Sequence, residues 1–395
     1  MASAPTLAII GGGQLARMMA QPAIALGLPL RLLAEAEGVS AAQVIPDQLV
    51  GDYRDLGTLR TATSDCAVVT FDHEHVPTEH LAALAADGVA VRPGPDALVY
   101  AQDKGLMRER LGELGAPCPR NAVVATPDEV EAFGLPCVLK ITRGGYDGRG
   151  VWVVRSVADV AEPFAAAEAA GHGDGAVRVL AEELVDFRRE LSAIVARSPS
   201  GQAAAYPVVQ TTQRDGICHE VIAPAPDLAP ELGAQAQALA LRIAGELGVT
   251  GILAVELFET VDEQGRPALL VNELAMRPHN TGHWTQDGAE TSQFENHLRA
   301  VMDLPLGAPT PRAPWTVMVN ILGGSAGGDV GSLYDGLPHA LARDPRLRVH
   351  LYGKDLRPGR KVGHVNVYGD DLDDLLERAR HAAAWFAGDL GDESE

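Results

Sequence analysis

The stretch KITRGGYDGRGV, residues 140–151, decides how the rest of the chain is read. An apolar run at residues 136–139 leads into Lys140. Gly144, Gly145, Gly148 and Gly150 follow, and Val151-Trp152-Val153-Val154 resumes strand composition. Strand, glycine-rich turn, strand makes a hairpin suited to covering phosphates, because glycines let backbone N–H groups approach phosphate oxygens with no Cβ between them. A lysine at its root adds a compact positive charge. No GK[ST] follows and no helix opens, so the stretch is not a Walker loop. A plain exposed hairpin would share this composition, and the remaining sequence has to decide between the two.

The 395 residues leave room for two or three domains with ample core. A net charge of −21 argues against nucleic-acid or anionic-membrane partners, which need a basic surface. Cys66, Cys118, Cys137 and Cys218 are scattered without metal-type spacing, and the first residues show no leader pattern. No apolar run reaches membrane-spanning length, so the expected setting is cytoplasmic. Among 32 basic residues only Lys104, Lys140, Lys354 and Lys361 are lysine. A lysine kept against such an arginine preference is a candidate for a site that needs a point charge.

The chain opens as βαβ: a strand at residues 6–10, GGGQLARMMAQPAIALG, then a strand at residues 30–33. The helix between them carries Leu15, Met18, Met19 and, past Pro22, Ile24 and Leu26. Gly11, Gly13 and Ala16 fit G-x-G-x-x-G/A, and Glu35 stands about 20 residues on, as an NAD ribose acid would. Gln14 after the glycines fits equally a helix N-terminus holding a single phosphate. Further αβ units end in GDYRD and DHEHVP, where Asp72, Glu74 and His75 are candidates for substrate contact or for a helix cap. Asp103-Lys104 opens another helix. A strand at residues 177–181 exits as EELVDFRRE, which suits a hinge reading a base through its backbone and ribose hydroxyls through Glu190. TTQRDGICHE reads as a loop.

Strands at residues 251–258 and 268–274 are joined by ETVDEQGRP. With the turn centred on Gln264-Gly265, Glu256 stands directly opposite Glu273 on one face. Two carboxylates so placed repel unless a cation joins them, and Mg²⁺ takes hard oxygens a few at a time while phosphates complete its shell. AMRPHNTGHWT follows, with a composition suited to an anionic, hydroxylated ligand. After a proline-rich linker at residues 304–314, YGKDLRPGRKVGHVNVYG forms a second basic turn between strands.

Together GGGQLARM, DHEHVP, KITRGGYDGRG, EELVDFRRE, RDGICHE, NELAMRPHNTGHWT and YGKDLRPGRKVGH resemble the 5-(carboxyamino)imidazole ribonucleotide synthase family of ATP-grasp enzymes, in the family's order and over nearly the whole chain. The resemblance implies an α/β chain with three parts: a Rossmann-like domain at residues 1–103, an ATP-grasp domain at 104–305 with its lid at about 120–185, and a small C-terminal domain at 306–395. It implies ATP-dependent carboxylation of aminoimidazole ribonucleotide with bicarbonate, using Mg²⁺, in a homodimer. By the same resemblance Lys104 and Lys140 hold ATP phosphates under Gly145, Tyr146, Asp147, Gly148, Arg149, Gly150 and Val151. Glu182, Glu183, Leu184 and Val185 take adenine, Glu190 the ribose, and Asn272 and Glu273 the phosphate–metal end, with Glu256 as the second metal ligand; Gln213 lies near the nucleotide. Gln14, Tyr146, Asp147, Arg277, His279, Asn280, Lys354 and Arg360 take the ribonucleotide. The chain has Gln213 where the family often has histidine, and Met276 where proline is usual. The other readings are a different ATP-grasp ligase such as a formate-using transformylase, an NAD-dependent oxidoreductase, and a nucleotide-binding regulatory protein without turnover.

Overall fold

The computed structural model describes residues 4–145, 148–171, 177–323 and 332–389. The first sheet is all parallel: β1 (Leu7–Ile10), β2 (Leu30–Ala34), β3 (Gln48–Val50), β4 (Val68–Phe71) and β5 (Ala90–Val91), in the order β3-β2-β1-β4-β5. β1 is buried on both faces, Ala8 and Ile10 in one core cluster and Leu7 and Ile9 in another. Helices cover each side, which is why these strands read as unbroken apolar runs. The strand order reverses between β1 and β4, so the turns after them, Gly11 to Gly13 and Asp72 onward, meet at the sheet's carboxyl edge, the usual place for a ligand.

The helix Gln14–Leu26 keeps Pro22 inside it and ends at Gly27 in the left-handed conformation, φ +64°. Its buried face is Leu15, Met18, Met19 and Ala23. Ile24 is 82% exposed, because its position turns it to the side away from the sheet. Phe294, Leu298 and Val301 of the helix Gln293–Val301 pack into the same cluster and lock the first sheet onto the central one. His297 joins them as well, with Nε2 2.8 Å from Thr70 Oγ1 and Nδ1 accepting from Ile252 N–H.

The lid is an antiparallel sheet of β6 (Asn121–Val124), β7 (Cys137–Ile141), β8 (Val151–Val154) and β9 (Val179–Glu183), in the order β6-β9-β7-β8. Lys140 pairs with Val151, so the glycine stretch is a hairpin turn. Gly148 has φ +76°, and a Cβ there would lie 3.0 Å from Gly216 Cα, so the hairpin tip meets the Asp215–Gly216 turn at backbone contact.

The third sheet carries β10 (Arg189–Arg197), β11 (Ala203–Ala205), β12 (Val209–Arg214), β13 (Ile217–Ala223), β14 (Gly251–Val261), β15 (Pro267–Ala275), β16 (Trp315–Leu322), β17 (Arg348–Leu351) and β18 (Lys361–Gly369). Its order is β15-β14-β10-β12-β13-β16-β18-β17, with β11 beside β10. TTQRDGICHE, expected as a loop, is the β12–β13 hairpin; its polar residues alternate along paired strands, with a bulge at Thr212/Gln213. β16 to β18 continue this sheet through the β13–β16 ladder instead of forming a sheet of their own. The closing helix Leu372–Ala387 is pinned to it by Arg380, whose guanidinium donates to both oxygens of Glu220 at 2.6 and 2.9 Å. Among the described residues, no helix is long and apolar enough to cross a membrane.

Candidate active site

The three sheets enclose a cleft of about 1810 Å³. Lys104, Lys140, Gly145, Gly148, Val151, Glu182, Glu183, Leu184, Val185, Glu190, Gln213, Glu256, Asn272, Glu273, Gln14, Arg277, His279 and Asn280 all line it. Arg149 and Gly150 sit on the lid hairpin outside that lining, as do Lys354 and Arg360 on the C-terminal turn. Tyr146 and Asp147 lie outside the described residues.

The carboxylate pair forms for a reason that differs from the expected one. The rungs nearest the turn pair Val261 with Pro267 and Leu257 with Val271, one residue out of the expected register. An extra residue, Asn272, then bulges, and Glu256 meets Glu273. A bulge re-aims side chains, so Asn272 and Glu273 both serve the cleft although they are consecutive: Asn272 Oδ1 accepts from Lys140 at 3.1 Å, and Glu273 accepts from Lys104. Burial first, then Glu273 and Glu190, push the Glu256 carboxyl up to about 8. Glu273 goes the other way; burial raises it, but Lys104 and Lys140 outweigh that and hold it below the usual carboxylate range.

Sequence reasoning missed the residue that braces this arrangement. Arg108 lies one helical turn after Lys104 on the helix Lys104–Glu113, which Asp103 caps through Gly105 and Leu106 N–H. Its guanidinium pairs with Glu182 and donates to the carbonyls of Val271 and Asn272 at 2.8 and 2.7 Å. Thus one buried fork satisfies the carbonyls at the bulge and orients Glu182, which holds Lys140 at 2.7 Å. The Glu182 side chain, expected near adenine, is spent on this network, while Glu183, Leu184 and Val185 line the cleft beside it. The i, i+4 spacing from Lys104 was the available signal.

At one end of the cleft Phe258 stacks on Phe187, with ring centroids 4.7 Å apart, near Val151, Val153 and Leu184. Glu190 stands opposite Phe258 in the β10–β14 ladder, and Gln213 hydrogen-bonds it. Phe258 lies two residues from Glu256, hence on the same strand face, a period-2 signal that was legible.

At the other end Glu74 accepts from Met276 N–H at 2.8 Å and from Arg277 Nε at 3.0 Å, so it aims the arginine. Met276, in the place where proline is usual, supplies an N–H that proline would lack. His279 Nε2 is 3.6 Å from Glu256, and burial, then Arg277 and Lys361, push its imidazole down to about 3. Lys354 donates to Gln14, and Lys361 lines the cleft. Arg360 instead reaches the Asp355 carbonyl at 3.3 Å, because its turn folds back on itself.

The N-terminal glycine turn is closed by the protein's own carboxylates. Gly12 N–H donates to Glu35 at 3.0 Å, and Gly13 and Ala16 N–H donate to Asp72 at 3.0 and 2.7 Å. The acid that the fingerprint offers to a ribose is therefore used internally. Asp72 likewise occupies the helix end that was open to a phosphate, so Gln14 serves the cleft through its side chain.

Known proteins resemble this chain over nearly its whole length. Residues 4–102 match the ribonucleotide synthetase preATP-grasp domain, residues 109–294 the ATP-grasp domain, and residues 316–378 the phosphoribosylaminoimidazole carboxylase C-terminal domain. The N5-carboxyaminoimidazole ribonucleotide synthase of Mycobacterium tuberculosis strain H37Rv is 58% identical over 97% of this chain and 88% of that protein. The crystal structure of N5-carboxyaminoimidazole ribonucleotide synthetase from Thermus thermophilus superposes with a TM-score of 0.82 at 36% identity, covering 98% of this chain and 100% of that one. That of the Aspergillus clavatus synthase in complex with ADP and 5-aminoimidazole ribonucleotide superposes at 0.85 and 30% identity, covering 98% and 99%. By this kinship the chain belongs to the N5-carboxyaminoimidazole ribonucleotide synthases, within the ATP-grasp ligases.

Proposed function

We propose that this protein is an ATP-dependent ligase that carboxylates 5-aminoimidazole ribonucleotide with bicarbonate, releasing ADP and phosphate, in purine biosynthesis. The observation that carries this reading is a single cleft with a lysine-and-glycine phosphate end, an opposed carboxylate pair, and an arginine–histidine end beyond it. ATP lies under the lid, with its base against Phe258 and the main chain of residues 182–185, its ribose at Glu190 and Gln213, and its phosphates at Lys104, Lys140 and the hairpin amides. Glu256 and Glu273 fit Mg²⁺: two hard oxygen donors that crowd each other without a cation, with room for phosphate oxygens to complete the shell. Among the described residues no group of three or more histidine, cysteine or acidic side chains offers a fuller cage. When bound, Mg²⁺ supplies charge neutralisation at the phosphates.

The protein needs no nucleophile of its own. Lys104 and Lys140 neutralise charge on the γ-phosphoryl group as bicarbonate attacks it. The exocyclic amine of the ribonucleotide, held near Arg277, His279 and the Lys354 turn, then takes the carboxyl group and phosphate leaves. The lid hairpin excludes water from the carboxyphosphate. The division at residues 103 and 305, and a homodimer, belong to the same proposal. The test is phosphate release from purified protein with ATP and Mg²⁺. Release should require both bicarbonate and aminoimidazole ribonucleotide. Release that formate supports in place of bicarbonate indicates a transformylase, and ATP binding without release indicates a regulatory protein.

A further inference from the structure

The N-terminal glycine turn, its amides taken by Glu35 and Asp72, carries another segment of the chain on its outer side. The Gly12 carbonyl accepts from Ala41 N–H at 2.9 Å, and a Cβ on Gly12 would lie 2.3 Å from Val39 Cγ2, so glycine lets residues 39–43 lie this close. Ala41–Gln43 is a single 3₁₀ turn. Arg17, on the helix that follows the glycines, donates through Nη1 to the Ser40 carbonyl at 2.8 Å and to Gln43 Oε1 at 3.0 Å. A guanidinium only donates, so the Gln43 oxygen must face Arg17 and its Nε2 must face the carbonyls of Gly38, at 3.1 Å, and Gly353, at 2.7 Å. Gly353 is 310 residues further along the chain, beyond β17. Just before it the buried Ser40 hydroxyl donates to the Tyr352 carbonyl at 2.6 Å. Just after it Lys354 donates to Gln14, which lines the cleft. Three consecutive residues, 352 to 354, are thus each bonded to the N-terminal domain. The turn beyond them is bonded back to its own side, Arg360 to the Asp355 carbonyl and Gly359 N–H to the Gly323 carbonyl at 3.0 Å.

We infer that Ser40 and Gln43 are positioning residues for Lys354: they fix the main chain on which the lysine stands, and so set the affinity for the anionic ribonucleotide. The inference rests on the proposed placement of that substrate at the Lys354 turn. A lysine ammonium rides on a long flexible stem, so it is only as well placed as its backbone. Ser40 and Gln43 hold the two carbonyls that precede Lys354, while Tyr352 N–H donates to the Val362 carbonyl at 2.9 Å, so the segment is held from both sides. Gly353 is where the two domains meet most closely. Its φ is +63°, and a Cβ there would lie 2.1 Å from Gln43 Oε1 and 3.1 Å from Arg17 Nη1. A larger residue enters only by swinging the Gln43 amide aside. Ser40 and Gln43 lie outside the cleft lining, so their effect on a substrate has to pass through Lys354. The glycine fingerprint thereby acquires a use without a dinucleotide: it seats the turn that places a cation from the other end of the chain.

The test uses the full chain with Ser40→Ala and Gln43→Met, each of which removes one hydrogen bond, and with Gly353→Ala, which displaces the Gln43 amide without altering Gln43. Ser40→Ala and Gln43→Met should each raise the KM for aminoimidazole ribonucleotide about three- to tenfold, leaving kcat and the KM for ATP within about twofold. Gly353→Ala should raise the ribonucleotide KM at least as much as Gln43→Met. Combining Gly353→Ala with Gln43→Met should add little, since both act on one contact. Effects that multiply in the double variant overturn the role of Gln43. A rise in both KM values together with a lower melting temperature also overturns the inference, because it marks a packing role. Lys354→Ala, measured alongside, separates the two claims. If it raises the ribonucleotide KM while Ser40→Ala and Gln43→Met leave that constant unchanged, the positioning alone is refuted. If Lys354→Ala itself leaves the constant unchanged, the placement of the ribonucleotide is refuted, and the positioning with it.

Discussion

Replacing Glu256 with glutamine tests the crowded carboxylate pair at its source. The Glu256 carboxyl is pushed from an ordinary 4.5 up to about 8 by burial, then by Glu273 and Glu190. In the unfolded chain this group loses its proton near the ordinary value, while in the metal-free folded protein it keeps it until about 8. Folding stability is therefore lost as pH rises through that window, at about 1.4 kcal/mol per pH unit while the two states differ by a full proton. The unscaled loss is about 3 kcal/mol at pH 7 and about 5 kcal/mol above pH 8. The side chain is 25% exposed, and Glu273 shares the titration, which brings the expected loss to about 1–3 kcal/mol. Glutamine has the same shape and no charge. In EDTA at pH 8.5 Glu256→Gln should melt a few degrees above wild type, and the gap should close by pH 5. Mg²⁺ with ADP should raise the wild-type melting temperature and leave the variant's nearly unchanged, and turnover should fall at least a hundredfold. Thermal melts across pH, with and without Mg²⁺, read all of this. A variant that melts below wild type at pH 8.5 in EDTA, or a gap that does not grow with pH, would refute the idea of a pair that needs a cation.

Arg108→Lys keeps a charge beside Glu182 but loses the fork that also holds the Val271 and Asn272 carbonyls. It should destabilise the protein by about 2–4 kcal/mol in denaturant melts and raise the KM for ATP, since Lys140 and the bulge lose their brace. Calorimetric titration with NAD and NADH should show no binding, because Glu35 and Asp72 already take the amides of the glycine turn; micromolar affinity would reverse that reading. Lys354→Ala should lower kcat/KM for aminoimidazole ribonucleotide roughly ten- to a hundredfold, the effect of one charge-assisted contact of about 1.5–3 kcal/mol. The KM for ATP should stay within twofold, and a loss confined to ATP would show that the two substrates lie the other way round.

What the sequence determined alone were the features written in local order. The glycine hairpin, the βαβ opening and the Asp103 cap are each set by residues a few positions apart, where composition and period act directly. Even there a local reading had limits: TTQRDGICHE looks like a loop because its strands are polar, and only pairing between β12 and β13 makes it sheet. The opposition of Glu256 and Glu273 was foreseen from the turn, yet the real register reaches it through a bulge at Asn272 whose carbonyl is held by Arg108, 164 residues away. No periodicity carries that information, because a bulge is stabilised by whatever distant donor meets its carbonyls. The competition at the N-terminal glycines was likewise settled by Asp72 and Glu35, which reach those amides only once β1, β2 and β4 lie side by side. Sequence names the chemical groups, but which of them spend their hydrogen bonds on the protein, and which keep them for a ligand, depends on contacts between segments far apart in the chain.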